Sequence, residues 1–209
     1  MFDAALAGLF TGLSLIVAIG AQNAYVLRQG LVRSHVGPVV VVCATSDLVL
    51  IAAGVSGVGT VVDRAGWVLD VVRWFGVAFL LWYAVGSLRR AALRPASLGP
   101  AQGVAAAGRG ESRTRVVGRA VALTWLNPHV YLDTVLLLGS IAAAHAGGVL
   151  AARWWFAAGA GLASVLWFSG LGFGARLLAP LLTSPRAWRV LDGMIAVTML
   201  VVAAKLATL

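Results

Sequence analysis

Six apolar runs, each long enough to cross a membrane, dominate this sequence. A transmembrane helix needs about 20 mainly apolar residues. Runs of that length occupy residues 4–27, 36–62, 67–88, 116–144, 149–178 and 188–206. Hydrophobic residues make up 61% of the chain and charged residues only 11%, which excludes an ordinary soluble domain. The sequence therefore predicts an all-α integral membrane protein with six transmembrane helices.

The segment 89–115 separates the first three apolar runs from the last three. It is rich in alanine, glycine and arginine and contains Pro95 and Pro100, a composition typical of a flexible linker. The chain would then consist of a first three-helix repeat at 1–88, this linker, and a second three-helix repeat at 116–209. Because each half has an odd number of helices, the second half enters the membrane from the opposite side.

Weak internal similarity also relates the two halves. Residues 43–59 resemble 160–176, since both have small residues, then an apolar run, then closely spaced glycines. Residues 22–27 can be laid loosely on 127–132. Many secondary transporters consist of inverted repeats with broken helices near the membrane midplane. The similarity favours two inverted three-helix repeats.

The positions of the basic residues predict the orientation. Arginines concentrate in the connections 28–35, 89–119 and 176–189, while the opposite side has only Arg64, Arg153 and Lys205. The positive-inside rule places the linker 89–115 in the cytoplasm and both termini outside. Membrane-flanking loops also explain the net charge of +9, so no nucleic-acid partner is expected.

The fourth apolar run contains residues that a lipid-buried helix normally avoids. Pro128 removes one backbone donor and disfavours helical geometry at Asn127. In hydrocarbon, such a break survives only where protein or a water-filled cavity satisfies the freed backbone groups. His129 follows directly and could relay protons or simply brace the break. We expect helix 4 to be broken here.

The first apolar run contains a similar irregularity. Gly20 is followed by two adjacent amides, Gln22 and Asn23. These residues could be interfacial, near the cytoplasmic end of the helix. Alternatively, they could mark a helix break that lines a cavity, and this interpretation predicts that helix 1 is broken like helix 4.

Two carboxylates lie deep inside apolar runs, one in each half. Asp47 is about a dozen residues into the second run, where a charge costs roughly 2.5–3.5 kcal/mol on insertion scales. Asp133 is equally deep in the fourth run. Asp47 could form a structural ion pair with Arg73 or serve transport, and Asp70 is a local partner for Arg73. Two carboxylates that lie close together in a low dielectric favour a site for a proton or a cationic substrate.

Other kinds of chemistry find no support in the sequence. His35, His129 and His145 have no metal-ligand spacing among themselves or with Cys43, so neither a metal site nor another cofactor is expected. The chain has no nucleophile elbow and no phosphate-binding loop. We therefore expect that this chain is not an enzyme.

Four motifs resemble the lysine/arginine exporter family (LysE/ArgO type), and the resemblance covers essentially the whole chain outside the linker. They are GAQNAYVLRQG at 20–30, SDLVLI at 46–51, FLLWY at 79–83 and TWLNPHVYLD at 124–133. The resemblance implies a bacterial inner-membrane exporter of basic amino acids that is driven by a proton or electrochemical gradient and forms a homo-oligomer. It also implies functional roles for Asp47 and Asp133. Lysine, arginine and an analogue such as canavanine all remain candidate substrates.

The resulting hypothesis is a midplane site between the two halves. Asp47 and Asp133 would receive the cationic side chain and, with His129, couple transport to protons. Asn23, Asn127 and Gln22 would hold the α-amino and α-carboxylate groups at the helix breaks around Gly20 and Pro128. The partners would be basic amino acids, protons and membrane lipids. Alternatives are an exporter of neutral amino acids, a channel, and a membrane-embedded enzyme or lipid-handling protein.

Overall fold

The described part of the chain is helical almost throughout. The computed structural model describes residues 1–17, 20–57, 66–93, 111–182 and 185–208. The helices are α1 (Phe2–Ile16), α2 (Ala21–Val32), α3 (Val36–Val55), α4 (Gly66–Leu93), α5 (Arg113–Trp125), α6 (Pro128–Val130), α7 (Leu138–Ala146), α8 (Leu150–Gly174) and α9 (Pro185–Ala207). A π-helical segment, Tyr131–Leu137, joins α6 to α7, and a 3-10 segment, Ala175–Leu182, follows α8. The predicted all-α class is confirmed.

Four of the described helices are individually long and apolar enough to cross a membrane. The apolar stretches are Val36–Val55, Asp70–Leu93, Leu150–Leu178, which runs from α8 into the 3-10 segment, and Arg186–Ala207. Helices α1 and α2 reach the required length only together, and their axes differ by 84°. The apolar helical stretch Tyr131–Ala146 is shorter than a full span. The chain is therefore a multi-pass membrane protein.

The ends of several helices differ from the apolar runs of the sequence. Helix α2 continues to Val32, where Arg33 and His35 adopt left-handed backbone conformations (φ 56° and 53°) and turn the chain into α3. Helix α4 continues to Leu93, inside the predicted linker, because arginine, alanine and leucine all favour helix. The second run was predicted to reach residue 62, but residues 58–65 lie outside the described part, as do linker residues 94–110.

Glycines bring α1 and α8 into backbone contact. A Cβ atom at Gly8 would lie only 2.0 Å from the carbonyl oxygen of Phe156, and Gly12 similarly faces α8. Small residues at this four-residue spacing favour such close approach of membrane helices. Gly170 and Gly174 have the same spacing, but no other described group lies within 4 Å of a Cβ built at either one.

Helix α2 is buried around nearly its whole circumference. Tyr25 and Val26 are fully buried, and Gly30 lies against the backbone of Gly172 in α8. Helix α2 also contacts α3, α5 and α9. A short helix in this central position presents its N-terminal end to the interior of the molecule.

Two further groups of helices pack closely together. Helix α3 approaches the π segment and α7, where Gly54 lies against the carbonyl oxygen of Val135 and Gly139 lies against that of Gly54. Helices α4 and α9 pack extensively against each other. A Cβ atom at Gly76 in α4 would lie 1.9 Å from the carbonyl oxygen of Leu126 and 3.2 Å from Leu206 in α9. The C-terminal end of α9 therefore lies beside the interruption between α5 and α6.

Candidate functional site

A cavity of about 300 Å³ lies where the two helix interruptions meet α3, α8 and the end of α9. Most of the predicted site residues border it: Gly20, Gln22, Asn23, Asp47, Asn127, His129 and Asp133. Its apolar walls include Leu15, Ile51, Leu138 and Phe168. A cavity with apolar walls and a few convergent polar groups is typical of a small-molecule site.

The N-terminus of α2 forms one wall of this cavity. Gly20 is extended (φ −102°, ψ 177°) and precedes the first helical residue, Ala21. Asn23 donates through Nδ2 to the carbonyl oxygen of Ile16 at 2.7 Å, so it joins the end of α1 to the start of α2. The indole of Trp167 in α8 donates to Asn23 Oδ1 at 3.2 Å. Gln22 Nε2 is buried, and among the described residues the Gln22 side chain faces the Cys43 thiol of α3.

Asp47 lies on the α3 wall, opposite α8. Ser164 donates a hydrogen bond to Asp47 Oδ2 at 2.8 Å. The neighbouring Ser46 accepts a hydrogen bond from the indole of Trp125 at 3.1 Å. One turn before Asp47, the buried Cys43 contacts Gln22 of α2. Asp47 therefore lies near the α2 N-terminus, and among the described side chains Ser164 is the one donor to its carboxylate.

Arg73 is not part of this site. Its guanidinium forms an ion pair with Asp70 at 3.0 Å, one turn earlier on α4. Arg73 does not border the cavity, and the described structure contains no ion pair between it and Asp47. The nearest carboxylate on the same helix binds Arg73, as i,i+3 neighbours commonly do.

The interruption between α5 and α6 forms the facing wall. Helix α5 ends at Trp125, Pro128 begins α6, and the Pro128 side chain lies outside the described part. Asn127 Oδ1 accepts a hydrogen bond from the backbone N–H of His129 at 3.2 Å. Tyr131 donates to the carbonyl oxygen of Trp125 at 2.9 Å and so satisfies a backbone group freed by the break.

Asp133 lies one turn further on, in the π segment. Its side chain is exposed and borders the cavity, and within the described residues it forms no ion pair. π-Helical turns are rare and occur frequently at functional sites. Asp47 and Asp133 therefore face the same cavity from different helices.

Among the cavity residues that the sequence analysis missed are Ser164 and Lys205. A signal for Ser164 was present in the internal similarity of 43–59 to 160–176. That register is a shift of 117 positions and sets Asp47 on Ser164. Lys205 gave no signal, because a lysine near the end of an apolar run normally marks a membrane interface.

A buried charged cluster lies next to α2, away from its N-terminal end. Asp192 of α9 is only 1% exposed, and its Oδ1 lies 3.4 Å from Nε of both Arg28 in α2 and Arg90 in α4. Arg90 also donates to Ser87 at 2.6 Å. The cluster ties three helices together.

The chain is similar to known membrane exporters over almost its entire length. The sequence model of the LysE type translocator family matches residues 13–209. Arginine exporter protein ArgO of Salmonella schwarzengrund (strain CVM19633) is 41% identical over 96% of this chain and 91% of its own length. The protein of the same name from Pectobacterium carotovorum subsp. carotovorum (strain PC1) is 41% identical over 99% of this chain and 98% of its own. No solved structure matches the chain. The chain belongs to the LysE type translocator family.

Proposed function

We propose that this chain exports basic L-amino acids from the cytoplasm, with arginine as a principal substrate and lysine and canavanine as candidates of the same kind. As a member of a translocator family, the chain is a transporter and not an enzyme. Its relatives carry the name arginine exporter. The observation that carries the proposal is that Asp47 and Asp133 border one cavity, between two helix interruptions.

The site matches a cationic amino acid. The two carboxylates attract the guanidinium or ammonium group of the side chain. Gln22, Asn23 and Asn127, at the interruptions, hold the α-amino and α-carboxylate groups. Interrupted helices near the midplane serve this purpose in many secondary transporters.

Proton exchange supplies the driving force in this proposal. Moving one positive charge outward against an inside-negative potential costs about 2.3 kcal/mol per 100 mV. Inward movement of one proton per exported cation cancels this electrical work. A carboxylate that binds either the proton or the substrate cation, but not both at once, produces such exchange directly, and His129 on the cavity wall could relay the proton.

The proposed architecture has six membrane crossings in two inverted three-helix repeats, 1–88 and 116–209. The first crossing consists of α1 and α2, and the fourth runs from α5 through α7. Packing of α3 against α8 and of α4 against α9 supports this plan, because corresponding helices of the two halves then contact each other. The arginine distribution favours a cytoplasmic linker 89–115 and outside termini, in the bacterial inner membrane.

Counterflow in proteoliposomes tests the function. We expect the purified chain to exchange labelled arginine for unlabelled arginine, lysine or canavanine, and not for threonine. Asp47→Asn and Asp133→Asn should each reduce exchange about tenfold or more, because each removes a charged partner of the substrate. Acidic medium on both sides should weaken exchange, since protons then compete with arginine for the carboxylates.

Asp70→Asn is the matched control. Asp70 pairs with Arg73 and is 63% exposed, away from the cavity. Its substitution should leave exchange close to the level of the unmodified chain. Undiminished exchange in both Asp47→Asn and Asp133→Asn proteins that insert normally would refute the shared site.

A further inference from the structure

Lys205 is a basic residue on the wall of the cavity that we propose binds cationic substrates. It lies in the last turn of α9, and its side chain borders the same cavity as Asp47 and Asp133. Within the described residues it forms no ion pair with either carboxylate, so its ammonium group remains available for a ligand. A cation placed here would repel a purely cationic substrate. The charge therefore needs another reason.

The charges around the cavity complement those of a basic amino acid. The carboxylate and ammonium side chains among its described lining residues are Asp47, Asp133 and Lys205, and the imidazole of His129 also borders the cavity. Arginine and lysine each carry two cationic groups and one carboxylate. Two carboxylates and one ammonium group are the opposite set. A substrate without the carboxylate, such as agmatine or cadaverine, would leave Lys205 unmatched.

The packing of α9 places Lys205 relative to the helix interruptions. The neighbouring residue Leu206 packs near Gly76, which in turn lies against the carbonyl oxygen of Leu126. Lys205 therefore lies beside the interruption between α5 and α6. On this wall the NH2 group of Asn127 is a second donor, because Asn127 Oδ1 already accepts from the His129 backbone.

The N-terminus of α2 is the other positive feature of the cavity, through the partial charge of its free N–H groups. It is a poor place for the substrate carboxylate, because Gln22 in its first turn contacts Cys43 and Asp47 lies close enough to Cys43 to act on it electrostatically. Two carboxylates there would repel each other. The wall that carries Lys205 and Asn127 avoids this conflict.

We infer that Lys205 forms, with the Asn127 NH2 group, a carboxylate-binding subsite that makes the cavity select α-amino acids over the corresponding decarboxylated amines. The inference rests on the proposed export of basic amino acids and specifies how the substrate is oriented. The side-chain cation lies toward Asp47, and the α-carboxylate lies toward the end of α9. Lys205 is thus a specificity-determining residue.

Equilibrium binding to the purified full-length chain tests the subsite independently of transport. Labelled arginine and labelled agmatine are titrated against the unmodified protein, Lys205→Gln and Lys205→Arg. We expect Lys205→Gln to weaken arginine binding about tenfold or more, while agmatine binding stays the same or improves. Lys205→Arg should retain the preference for arginine. Arg153→Gln, which removes a cation outside the cavity, should change neither ligand.

Three results would contradict the subsite. If Lys205 only neutralises the two carboxylates, Lys205→Gln will strengthen arginine and agmatine binding alike. If the ammonium group only lies at the membrane interface, Lys205→Gln will change the binding of neither ligand. Failure of the unmodified chain to bind arginine would also refute the subsite. Binding that depends on Lys205 without counterflow would instead refute the proposed export and leave the subsite standing.

Discussion

At the level of single residues, the hydrogen bond from Ser164 to Asp47 defines the site more sharply than any other contact. It joins α3 to α8 at the edge of the cavity, at 2.8 Å. A hydrogen bond to a charged acceptor contributes about 1.5–3 kcal/mol. Ser164 is the single described side-chain donor to this carboxylate. It therefore fixes the position of the negative charge relative to Asn23 and Trp167.

We predict that Ser164→Ala will weaken arginine binding about tenfold, because the Asp47 carboxylate loses its fixed position. The measurement is equilibrium binding of labelled arginine to the purified protein. Ser140→Ala is the matched control, since Ser140 is exposed and bonds only to its own helical turn, at the carbonyl oxygen of Leu137. Equal affinities for the Ser164→Ala and Ser140→Ala proteins would contradict the prediction.

Single polar residues in apolar runs could be found from the sequence because burying a polar or charged side chain in a membrane costs free energy. Asp47, Asp133, Asn23 and Asn127 were predicted on that ground, and all border the cavity. Ser164 was not, because a lone serine in a membrane helix can bond to its own backbone and needs no partner. Which way a side chain faces depends on helix rotation, and this is why pairing Arg73 with Asp47 remained an open guess.

At the level of helices, the packing of α1 against α8 depends on the absence of side chains. Gly8 and Gly12 let the two backbones touch, so dispersion contacts form along the whole interface. Helix α8 also carries Ser164 and Trp167. The glycine contact therefore positions one wall of the cavity as well as joining two helices.

We predict that Gly8→Ala will lower the thermal stability of the protein in detergent by an amount equivalent to about 1–3 kcal/mol, because the new methyl group collides with the Phe156 carbonyl. Gly170→Ala is the control, because Gly170 makes no such close contact among the described residues. A Cβ there meets open space, and alanine favours helix, so stability should be unchanged or slightly raised. A thermal-unfolding midpoint that falls equally in both variants would refute this account.

The helix interruptions show the limit of prediction at this scale. Proline at position 128 and glycine at position 20 indicated where the helices would break. The 84° turn between α1 and α2, and the π segment after α6, could not be predicted. Both depend on packing between halves that are distant in the sequence, such as Gly54 against Val135.

At the level of the whole molecule, the Arg28–Asp192–Arg90 cluster joins the central helix α2 to the pair α4 and α9. Asp192 and Arg28 are almost completely buried, at 1% and 4% exposure, whereas Arg90 is 34% exposed. Breaking a buried pair by removing one partner is strongly destabilising, because it leaves an uncompensated charge. The cluster therefore holds both halves of the chain together at one end.

We predict that Asp192→Asn will reduce the free energy of unfolding by about 3–5 kcal/mol, with the buried Arg28 left beside Arg90. The double variant Arg28→Met/Asp192→Leu should recover most of this loss, because it removes both buried charges together. Thermal unfolding of the purified proteins in one detergent measures both effects. A double variant less stable than Asp192→Asn would show that the cluster contributes more than charge compensation.

Cys43 has a practical consequence for following this protein at work. It is the sole cysteine of the chain, fully buried, one turn from Asp47 and in contact with Gln22. A thiol reagent reaches it only when the packing around it opens. The rate at which a thiol reagent alkylates the unmodified protein therefore measures how often this packing opens. Neither an engineered cysteine nor a cysteine-free variant is needed.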